Sequence, residues 1–352
     1  MATMVRKVLL AEPRGFCAGV EMAIKALTWM TRVFSPPVYC YHQIVHNASV
    51  VAAFEAAGVV FVDDIEAVPA GAPVMLSAHG SSPAVAATAR GRTAVVVDAV
   101  CPLVTKVHHE VRRMAAEGYQ ILYVGHEGHD EAEGTIAEAP QAVTLVDPQR
   151  GLGGLTPADS TRVALVAQTT LGHHEWEAVL DEASGRFANL WTARKSDLCY
   201  ATTNRQAAVE ALAARADLVL VVGSESSSNT RALVRVASAA GAAVYRIDGP
   251  ESIEPSWMDG AEVVGLTAGA SAPDRSVQEV VRRLAPRDGV EVVTAGAEDE
   301  YFPPPPQLRA MLAALQAAVE GGYGVRRPGQ PGPLDDDRSW RAGEALDLLT
   351  QA

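Results

Sequence analysis

The stretch KVLLAEPRGFCAGV, residues 7–20, places a cysteine at the turn between a strand and a helix. The apolar run KVLLAE is typical of a short buried strand, and VEMAIKALTWMTRVF (20–34) has the apolar periodicity of a helix. Cys17 lies at the turn, between Gly15 and Gly19. A single cysteine in such a place is either a small packed residue or a ligand, and packing is the commoner role because free cysteine is among the most buried residue types.

The same arrangement occurs twice more along the chain. VVVDAV (95–100) leads into Cys101 and SDL (196–198) leads into Cys199, and a helical pattern follows each cysteine. The intervals are 84 residues from position 17 to 101 and 98 residues from 101 to 199. Similarity at a long period indicates repeated structural units. Three thiols at one topological position favour a metal site over packing, whereas Cys40 has no counterpart and is interpreted as a core residue.

Each of the three units also carries two polar loops that follow apolar, strand-like runs. The equivalent positions in the first and second loops are His46, His129 and Ser228, and His79, Thr169 and Ser271, respectively. In open α/β sheets, ligands bind beyond the carboxyl ends of the strands. Three such units around a pseudo-threefold axis would direct three cysteines and six loops to one centre. The sequence therefore predicts an α/β fold with mainly parallel sheets, in which three similar α/β domains form a pseudo-threefold trefoil around a central iron–sulfur cluster.

The predicted domain boundaries follow from this repeat. They are an N-terminal strand that joins the third unit (1–17), α/β unit 1 (18–100), α/β unit 2 (101–198), α/β unit 3 (199–300) and a Pro-rich C-terminal tail with short helices (301–352). Within the tail, FPPPP (302–306) and RRPGQPGPLDDD (326–337) have the composition of linkers. No chemistry is assigned to the tail.

Composition and charge narrow the function classes. With 29 Lys and Arg against 42 Asp and Glu, the formal net charge is −13, and no basic cluster stands out that would neutralise phosphates. We therefore expect no nucleic-acid partner and no membrane partner. No apolar run approaches the ~20 residues that span a bilayer, and MATMVRK lacks the features of a signal peptide. We expect a cytoplasmic protein whose cysteines are free thiols, metal ligands or catalytic groups rather than disulfides.

The spacing of the cysteines bears on the kind of metal. The chain has no CxxC motif, which argues against a zinc ribbon or a ferredoxin-like carrier, whose ligands cluster in sequence. Three cysteines around a 4Fe–4S cluster would leave one iron without a protein ligand. That iron would be free to bind a substrate oxygen as a Lewis acid and to pass electrons.

The polar loops contain neutral hydrogen-bond donors and one conspicuous carboxylate. Histidines in two units and Ser227, Ser228, Asn229 and Ser271 in the third suit a phosphate or diphosphate without Lys or Arg. Taken singly, each is also explained as a structural hydrogen-bonder or a helix N-cap. Glu131, in GHDEAEGT (128–135), is either a solvated residue of a helix start or a general acid that protonates a departing oxygen. Thr169 either orients that proton or is an ordinary residue at a strand end.

Nine stretches carry distinctive motifs, in order RGFCAGV, HQIVHN, SAHGSSP, DAVCPLVTKVH, GHEGHDEAEGT, AQTTL, DLCYATTNRQ, SSSNT and TAGASAPD. Together, from about residue 7 to residue 302, they resemble the IspH/LytB family of 4-hydroxy-3-methylbut-2-enyl diphosphate reductases. The resemblance implies the last step of the methylerythritol phosphate route to isoprenoids. In that step (E)-4-hydroxy-3-methylbut-2-enyl diphosphate is reductively dehydroxylated to isopentenyl diphosphate and dimethylallyl diphosphate. It also implies ferredoxin or flavodoxin as electron donor, and we expect a monomer or a weak homodimer.

The resemblance further implies a role for each site residue. The cluster ligands would be Cys17, Cys101 and Cys199, with the substrate hydroxyl on the open iron of the 4Fe–4S cluster. The diphosphate would be bound by His46, His79, Ser227, Ser228, Asn229 and Ser271. His129 and Thr169 would line the hydroxyl end, with both substrate-binding and catalytic roles, and Glu131 would donate the proton. The chain departs from the family at Val100, where Thr is usual, and at Ser226, where Asn is usual; neither is an implied contact.

Two other function classes stay open at this point. An iron–sulfur dehydratase or condensing enzyme such as quinolinate synthase would also use three domains and three cysteines, but without redox change. Dependence on an external reductant separates it from a reductase. A degenerate relative that only binds or senses iron would have no need of a diphosphate pocket, and the presence of His46, His79, Glu131 and Asn229 argues against it.

Overall fold

The computed structural model of the chain describes residues 5–155, 157, 159–193, 196–323 and 337–349. The strands are β1 (Lys7–Glu12), β2 (Val38–Tyr41), β3 (Val59–Val62), β4 (Val74–Leu76), β5 (Val96–Asp98), β6 (Gln120–Val124), β7 (Val143–Val146), β8 (Val163–Ala167), β9 (Leu190–Thr192), β10 (Leu218–Val222), β11 (Ala243–Ile247), β12 (Val263–Ala268) and β13 (Val290–Thr294). The α-helices are α1 (Ala18–Val33), α2 (Ala48–Ala56), α3 (Pro83–Arg92), α4 (Pro102–Ala116), α5 (Asp130–Ile136), α6 (His173–Arg186), α7 (Tyr200–Ala213), α8 (Ser228–Ala239), α9 (Asp274–Leu284), α10 (Pro306–Tyr323) and α11 (Ala342–Leu349).

Three parallel sheets with one shared strand order make up the strand framework of the described residues. The orders are β3-β2-β4-β5, β7-β6-β8-β9 and β11-β10-β12-β1-β13. The N-terminal strand β1 takes the fourth place in the third sheet, between β12 and β13, and pairs in parallel with both. The predicted α/β fold with three similar parallel sheets is confirmed.

Helices and strands form where the apolar pattern requires burial. Val104, Val107, Val111 and Met114 recur on one face of α4 and are all buried, as the helical spacing predicts. Strands β8 and β10 are buried at every position and consist only of Val, Leu and Ala. Such unbroken apolar runs are typical of parallel strands that are covered on both faces.

The described chain divides into two compact units, called the first unit and the second unit below. They are distinct from the predicted α/β units 1, 2 and 3. One unit comprises the described residues of Met1–Cys17 and Leu103–Asp299, and it holds the two sheets that contain β6–β9 and β10–β13 with β1. The other comprises those of Ala18–Pro102 and Glu300–Ala352 and holds the sheet of β2–β5. The predicted domain boundaries, including the division at 198/199, stay predictions.

The C-terminal segment of the second unit is fastened to α1. Lys25, buried on α1, forms an ion pair with Asp337, with Nζ 2.8 Å from Oδ2. Tyr301 donates to the same carboxylate through Oη (2.9 Å) and Trp340 through Nε1 (3.1 Å). Both carboxylate oxygens of Asp337 therefore have polar partners. Such partners offset the cost of burying an ion pair in a protein. Of the predicted linker at 326–337, residues 326–336 lie outside the described residues.

Among the described helices, none combines the length and apolar character needed to cross a bilayer.

Candidate active site

The strand order creates a crevice at the same place in each sheet. In the sheet of β2–β5, β3 lies on one side of β2 and β4 on the other, so the chain reverses its direction of progress beside β2. At such a switch point the loops that follow the two neighbouring strands separate and leave room for a ligand. The corresponding strand pairs are β2/β4, β6/β8 and β10/β12. All six predicted polar loops follow one of these strands.

The β2/β4 crevice is lined by two histidines. The rings of His46 and His79 stack with centroids 4.0 Å apart and an interplanar angle of 14°. Next to His46, Asn47 caps α2, since its side chain accepts hydrogen bonds from the backbone N–H groups of Ser49 and Val50. This cap fixes the loop that carries His46 at the start of α2.

The β6/β8 crevice buries a carboxyl group. Glu131 is 2% exposed, and its two oxygens accept hydrogen bonds from the Thr169 backbone N–H (2.6 Å) and the Thr169 hydroxyl (2.9 Å). Glu131 lies in the first turn of α5, as the acidic pattern predicts, but it is not a solvated residue. His129 caps the same helix by accepting from the Glu131 N–H at Nδ1 (3.1 Å), which puts the hydrogen of the neutral ring on Nε2.

The environment of Glu131 suits an acid. Burial raises the pKa of this carboxyl to about 7 from its usual 4.5, although the hydrogen bonds from Thr169 work in the opposite direction. A group with a pKa near neutrality holds a proton in about half of the molecules at pH 7 and can both lose and regain it. The arrangement therefore supports proton donation by Glu131.

The β10/β12 crevice presents neutral donors. The Asn229 side-chain oxygen accepts from the Ala270 N–H (2.8 Å), which directs Nδ2 the other way. That Nδ2 is buried and has no hydrogen-bond partner among the described residues. Ser227 caps α8 by accepting from Thr230 N–H, and the Ser271 hydroxyl donates to Ser227 Oγ at 3.4 Å. Capping and ligand binding are thus compatible here, because the cap fixes the loop that carries the donors.

One contact between the β6/β8 and β10/β12 crevices was missed by sequence reasoning. The side chain of Gln168 is fully buried and reaches from the end of β8 to Ser228 at the start of α8, with Nε2 3.2 Å from Oγ. The only signal in the sequence was its place beside Thr169 in the motif AQTTL.

The three predicted cysteine ligands occupy equivalent positions. Cys17, Cys101 and Cys199 directly precede α1, α4 and α7, and their backbone N–H groups donate to the carbonyl oxygens of Ala270 (3.3 Å), Ala78 (3.0 Å) and Thr169 (3.0 Å), respectively. Each acceptor lies in the second polar loop of its sheet, either beside or at a predicted site residue. An equivalent backbone hydrogen bond therefore joins each cysteine to the second polar loop of a crevice.

The Cys199 thiol is partly buried and hydrogen-bonded. Burial and the neighbouring Cys17 thiol raise the pKa of Cys199 to about 11. Such a thiol stays protonated at neutral pH unless a metal displaces the proton. Its sulfur accepts from the Thr202 N–H (3.3 Å) and lies 3.0 Å from the Thr202 hydroxyl, contacts of the kind that tune iron–sulfur clusters. Cys40 is fully buried, as a core residue should be.

The predicted residues thus fall into two groups by unit. The first unit holds Cys17, His129, Glu131, Thr169, Cys199, Ser227, Ser228, Asn229 and Ser271, and the second holds His46, His79 and Cys101. Within the first unit, hydrogen bonds join Glu131, Thr169 and Cys199 into one chain and Asn229, Ala270 and Cys17 into another.

Sequence comparisons place the chain among related proteins. The sequence model of the family described as LytB protein matches residues 8–285. The chain is 47% identical over 312 residues to the 4-hydroxy-3-methylbut-2-enyl diphosphate reductase of Acidothermus cellulolyticus, covering 88% of this chain and 92% of that protein. It is 48% identical over 307 residues to the enzyme of the same name from Mycobacterium ulcerans, covering 86% and 92%.

A structural comparison agrees with the sequence comparisons. The fold is similar to that of the E-1-hydroxy-2-methyl-but-2-enyl-4-diphosphate reductase from Plasmodium falciparum, with a TM-score of 0.86 and 31% sequence identity. The similarity covers 89% of this chain and 99% of the other. The structural similarity therefore covers a larger share of the chain than the segment matched by the LytB sequence model.

Proposed function

The chain belongs to the LytB family of 4-hydroxy-3-methylbut-2-enyl diphosphate reductases, and we propose that the residues of its three crevices carry out the family's reaction. The activity is the reductive dehydroxylation of (E)-4-hydroxy-3-methylbut-2-enyl diphosphate to isopentenyl and dimethylallyl diphosphate, at the end of the non-mevalonate pathway. Replacing a C–OH bond by C–H and releasing water takes two electrons and two protons. The chain must therefore bind a diphosphate, deliver protons and hold a source of electrons.

The diphosphate is bound by neutral donors in this proposal. His46 and His79 supply imidazole N–H groups, and Ser227, Ser228, Asn229 and Ser271 supply hydroxyl and amide donors. The support is that the Asn229 Nδ2 is buried without a hydrogen-bond partner among the described residues, while Ala270 holds its amide in place. A buried donor without a partner costs free energy unless a ligand satisfies it.

Glu131 donates the proton to the departing hydroxyl oxygen, and Thr169 and His129 orient the groups at that end. The observation that carries this assignment is the double hydrogen bond from Thr169 to Glu131, combined with that from Cys199 N–H to the Thr169 carbonyl. The acid is thereby held at a fixed place relative to a cluster ligand. Because its pKa is raised to about 7, Glu131 can lose this proton to the substrate and regain one before the next turnover.

The family's cofactor is an iron–sulfur cluster, and Cys17, Cys101 and Cys199 would hold it as a 4Fe–4S cluster. When bound, such a cluster supplies electrons and, at an iron without a protein ligand, Lewis acidity toward the substrate oxygen. The support within this chain is the donor set of three equivalent free thiols and the hydrogen bonds to Cys199 Sγ.

The physiological setting follows from the family and the composition. We propose ferredoxin or flavodoxin as electron donor, a monomer or weak homodimer as the assembly, and the cytoplasm as the location. The net charge of −13 is consistent with a small-molecule substrate rather than nucleic acid.

Turnover under reducing conditions tests the proposal. The full-length protein, purified and reconstituted without oxygen, should convert the hydroxylated diphosphate to both products with reduced viologen, and omission of the reductant should abolish the reaction. Loss of water from the substrate without reductant, to give an unreduced product, would instead indicate a dehydratase. An intact cluster without any turnover would contradict the function.

A further inference from the structure

Gln168 is buried in full between the two crevices of the first unit. Its backbone continues the strand framework, since its N–H donates to the Val124 carbonyl (2.8 Å) and its carbonyl accepts from Leu171 N–H (3.1 Å). Its side chain is 0% exposed, yet it is polar and able to make several hydrogen bonds. A buried amide in such a position must have its hydrogen bonds satisfied by defined neighbours.

The orientation of the Gln168 amide follows from its neighbours. The backbone N–H of His126 can only donate, and it lies 2.9 Å from Oε1, so the oxygen faces His126. The NH2 group then faces two hydroxyls, Thr170 Oγ1 at 3.0 Å and Ser228 Oγ at 3.2 Å. An amide NH2 only donates, and therefore both hydroxyl oxygens act as acceptors toward Gln168.

The donor role of the Gln168 NH2 group determines the hydrogen-bonding role of the Ser228 hydroxyl. A serine hydroxyl has one hydrogen, and because its oxygen accepts from Gln168, that hydrogen is available to a second acceptor. Ser228 is the first residue of α8, where the helix dipole favours a negative charge. Its neighbour Asn229 is oriented in the same way, with the amide oxygen engaged by Ala270 and the NH2 left as donor. The Gln168 side-chain amide thus orients Ser228 as a donor, and the Ala270 backbone N–H orients Asn229 as a donor.

We propose that Gln168 is a positioning residue for substrate binding, which directs the Ser228 hydroxyl hydrogen toward a diphosphate oxygen. The inference rests on the proposed function, because it takes Ser228 as a ligand of the diphosphate. It explains how neutral side chains can favour an anion: each hydroxyl or amide is oriented as a donor before the ligand binds, so binding requires little reorganisation.

The test reverses the polarity of the side chain. Gln168→Glu keeps the shape, and at alkaline pH, where the buried carboxyl is ionised, it only accepts and draws the Ser228 hydrogen toward itself. Loss of one hydrogen bond to a charged group should weaken binding about 10-fold to 100-fold. The measurement is calorimetric titration of the reconstituted full-length protein with inorganic diphosphate, together with KM and kcat for the substrate. We expect KM to rise with the dissociation constant, and kcat to change less than about 3-fold.

A double-mutant cycle with Ser228→Ala decides whether Gln168 acts through Ser228. If it does, Gln168→Glu should weaken diphosphate binding less than about 2-fold in the Ser228→Ala background, because the hydrogen that it redirects is already absent. Equal weakening in both backgrounds would overturn the proposal, since charge or misfolding would then be the cause. So would unchanged binding in the single variant.

Gln206→Glu is the matched control. Gln206 is also a buried amide of the first unit, which accepts from His173 N–H and donates to the Leu171 carbonyl, and the variant should bind diphosphate as the wild type does. If Gln168→Glu does not fold, the cycle is run with Gln168→Met, which should weaken binding about 3-fold and only when Ser228 is present. Diphosphate binding without any turnover of the wild type would contradict the proposed function, while the cycle would still decide the role of Gln168.

Discussion

The crevice between β6 and β8 and the crevice between β10 and β12 have the same topology but different chemistry. In both, the second loop donates a backbone N–H to a side chain of the first loop: Thr169 to Glu131, and Ala270 to Asn229. In both, a carbonyl of that second loop accepts from a cysteine N–H. The side chain that is held differs, since one crevice holds a carboxyl and the other an amide.

This difference separates proton transfer from anion binding. Burial raises the pKa of a carboxyl, so Glu131 changes its charge near neutral pH. An amide and a hydroxyl do not titrate in this range, so Asn229 and Ser228 remain donors at every working pH. The same backbone framework thus provides a pH-dependent acid in one crevice and a pH-independent anion site in the next.

Removing the acid should have the largest effect. We expect Glu131→Gln to lower kcat by about 10²-fold to 10⁴-fold, the usual contribution of a general acid. Diphosphate affinity should remain unchanged, because the other crevice supplies those donors. Single-turnover kinetics and calorimetry measure the two quantities. Glu133→Gln, two residues further along the same helix at an exposed position, is the control and should be near normal. Comparable rates in both variants would remove Glu131 from the acid role.

Replacing the Asn229 amide with a carboxylate should weaken diphosphate binding in the β10/β12 crevice alone. Asn229→Asp keeps the oxygen that accepts from Ala270 N–H but replaces the NH2 donor with a second acceptor, which repels a diphosphate oxygen. Inorganic diphosphate should bind about 10-fold to 100-fold more weakly. The exposed Asn189→Asp introduces the same charge elsewhere in this unit and should leave the affinity unchanged. Undiminished affinity in the Asn229 variant would show that Asn229 is not a ligand.

The pH dependence of kcat should follow the ionisation of Glu131 in the β6/β8 crevice. The pKa of Glu131 is raised to about 7, so the protonated, active form predominates below pH 7 and falls about tenfold per pH unit well above it. We expect kcat to fall accordingly above pH 7, and the alkaline limb of the pH profile of kcat measures this ionisation.

A second buried carboxyl provides the control for that pH profile. Burial and the neighbouring Glu110 raise the pKa of Asp197 as well. If Glu131 is the acid, Asp197→Asn should leave the midpoint of the kcat profile in place. Disappearance of the alkaline limb in this variant would reassign the limb to Asp197.

The smallest effect on kcat is expected from removing the Thr169 hydroxyl, which is hydrogen-bonded to Glu131. Thr169→Val removes the 2.9 Å hydrogen bond to Glu131 but leaves the backbone bond intact. Since the Thr169 hydroxyl lowers the pKa of Glu131, its loss should raise that pKa and move the alkaline limb of kcat to higher pH. The limiting rate should change only a few-fold, on the order of one hydrogen bond. Thr144→Val, on β7 of the same sheet, should leave the midpoint unmoved; equal shifts would argue against a specific contact.

Features that repeat locally could be predicted well from the sequence. The strand-to-helix turns at Cys17, Cys101 and Cys199 depend on short apolar runs and helical periodicity, and the structure has a helix directly after each. The buried face of α4 follows from the spacing of Val104 to Met114. Cys40, in an apolar run without counterparts, is buried as expected.

Features that depend on distant partners could not be predicted. Whether Glu131 is solvated or buried depends on Thr169, 38 residues further along the chain, and spacing alone left both possibilities open. The polarity of Gln168 depends on His126 and Ser228, 42 and 60 residues away. The ion pair that fastens Asp337 to Lys25 joins positions 312 residues apart.

The sequence by itself therefore determined the repeated α/β pattern, the family, and the residue types available for each task. Those properties depend on composition, period and motif, which are local in the chain. Only the tertiary structure decided which neighbour each polar side chain meets and how deeply it is buried. Burial and hydrogen bonding set the pKa of Glu131 and the donor direction of Asn229 and Ser228, because both result from contacts between helix starts and loops that are far apart in sequence.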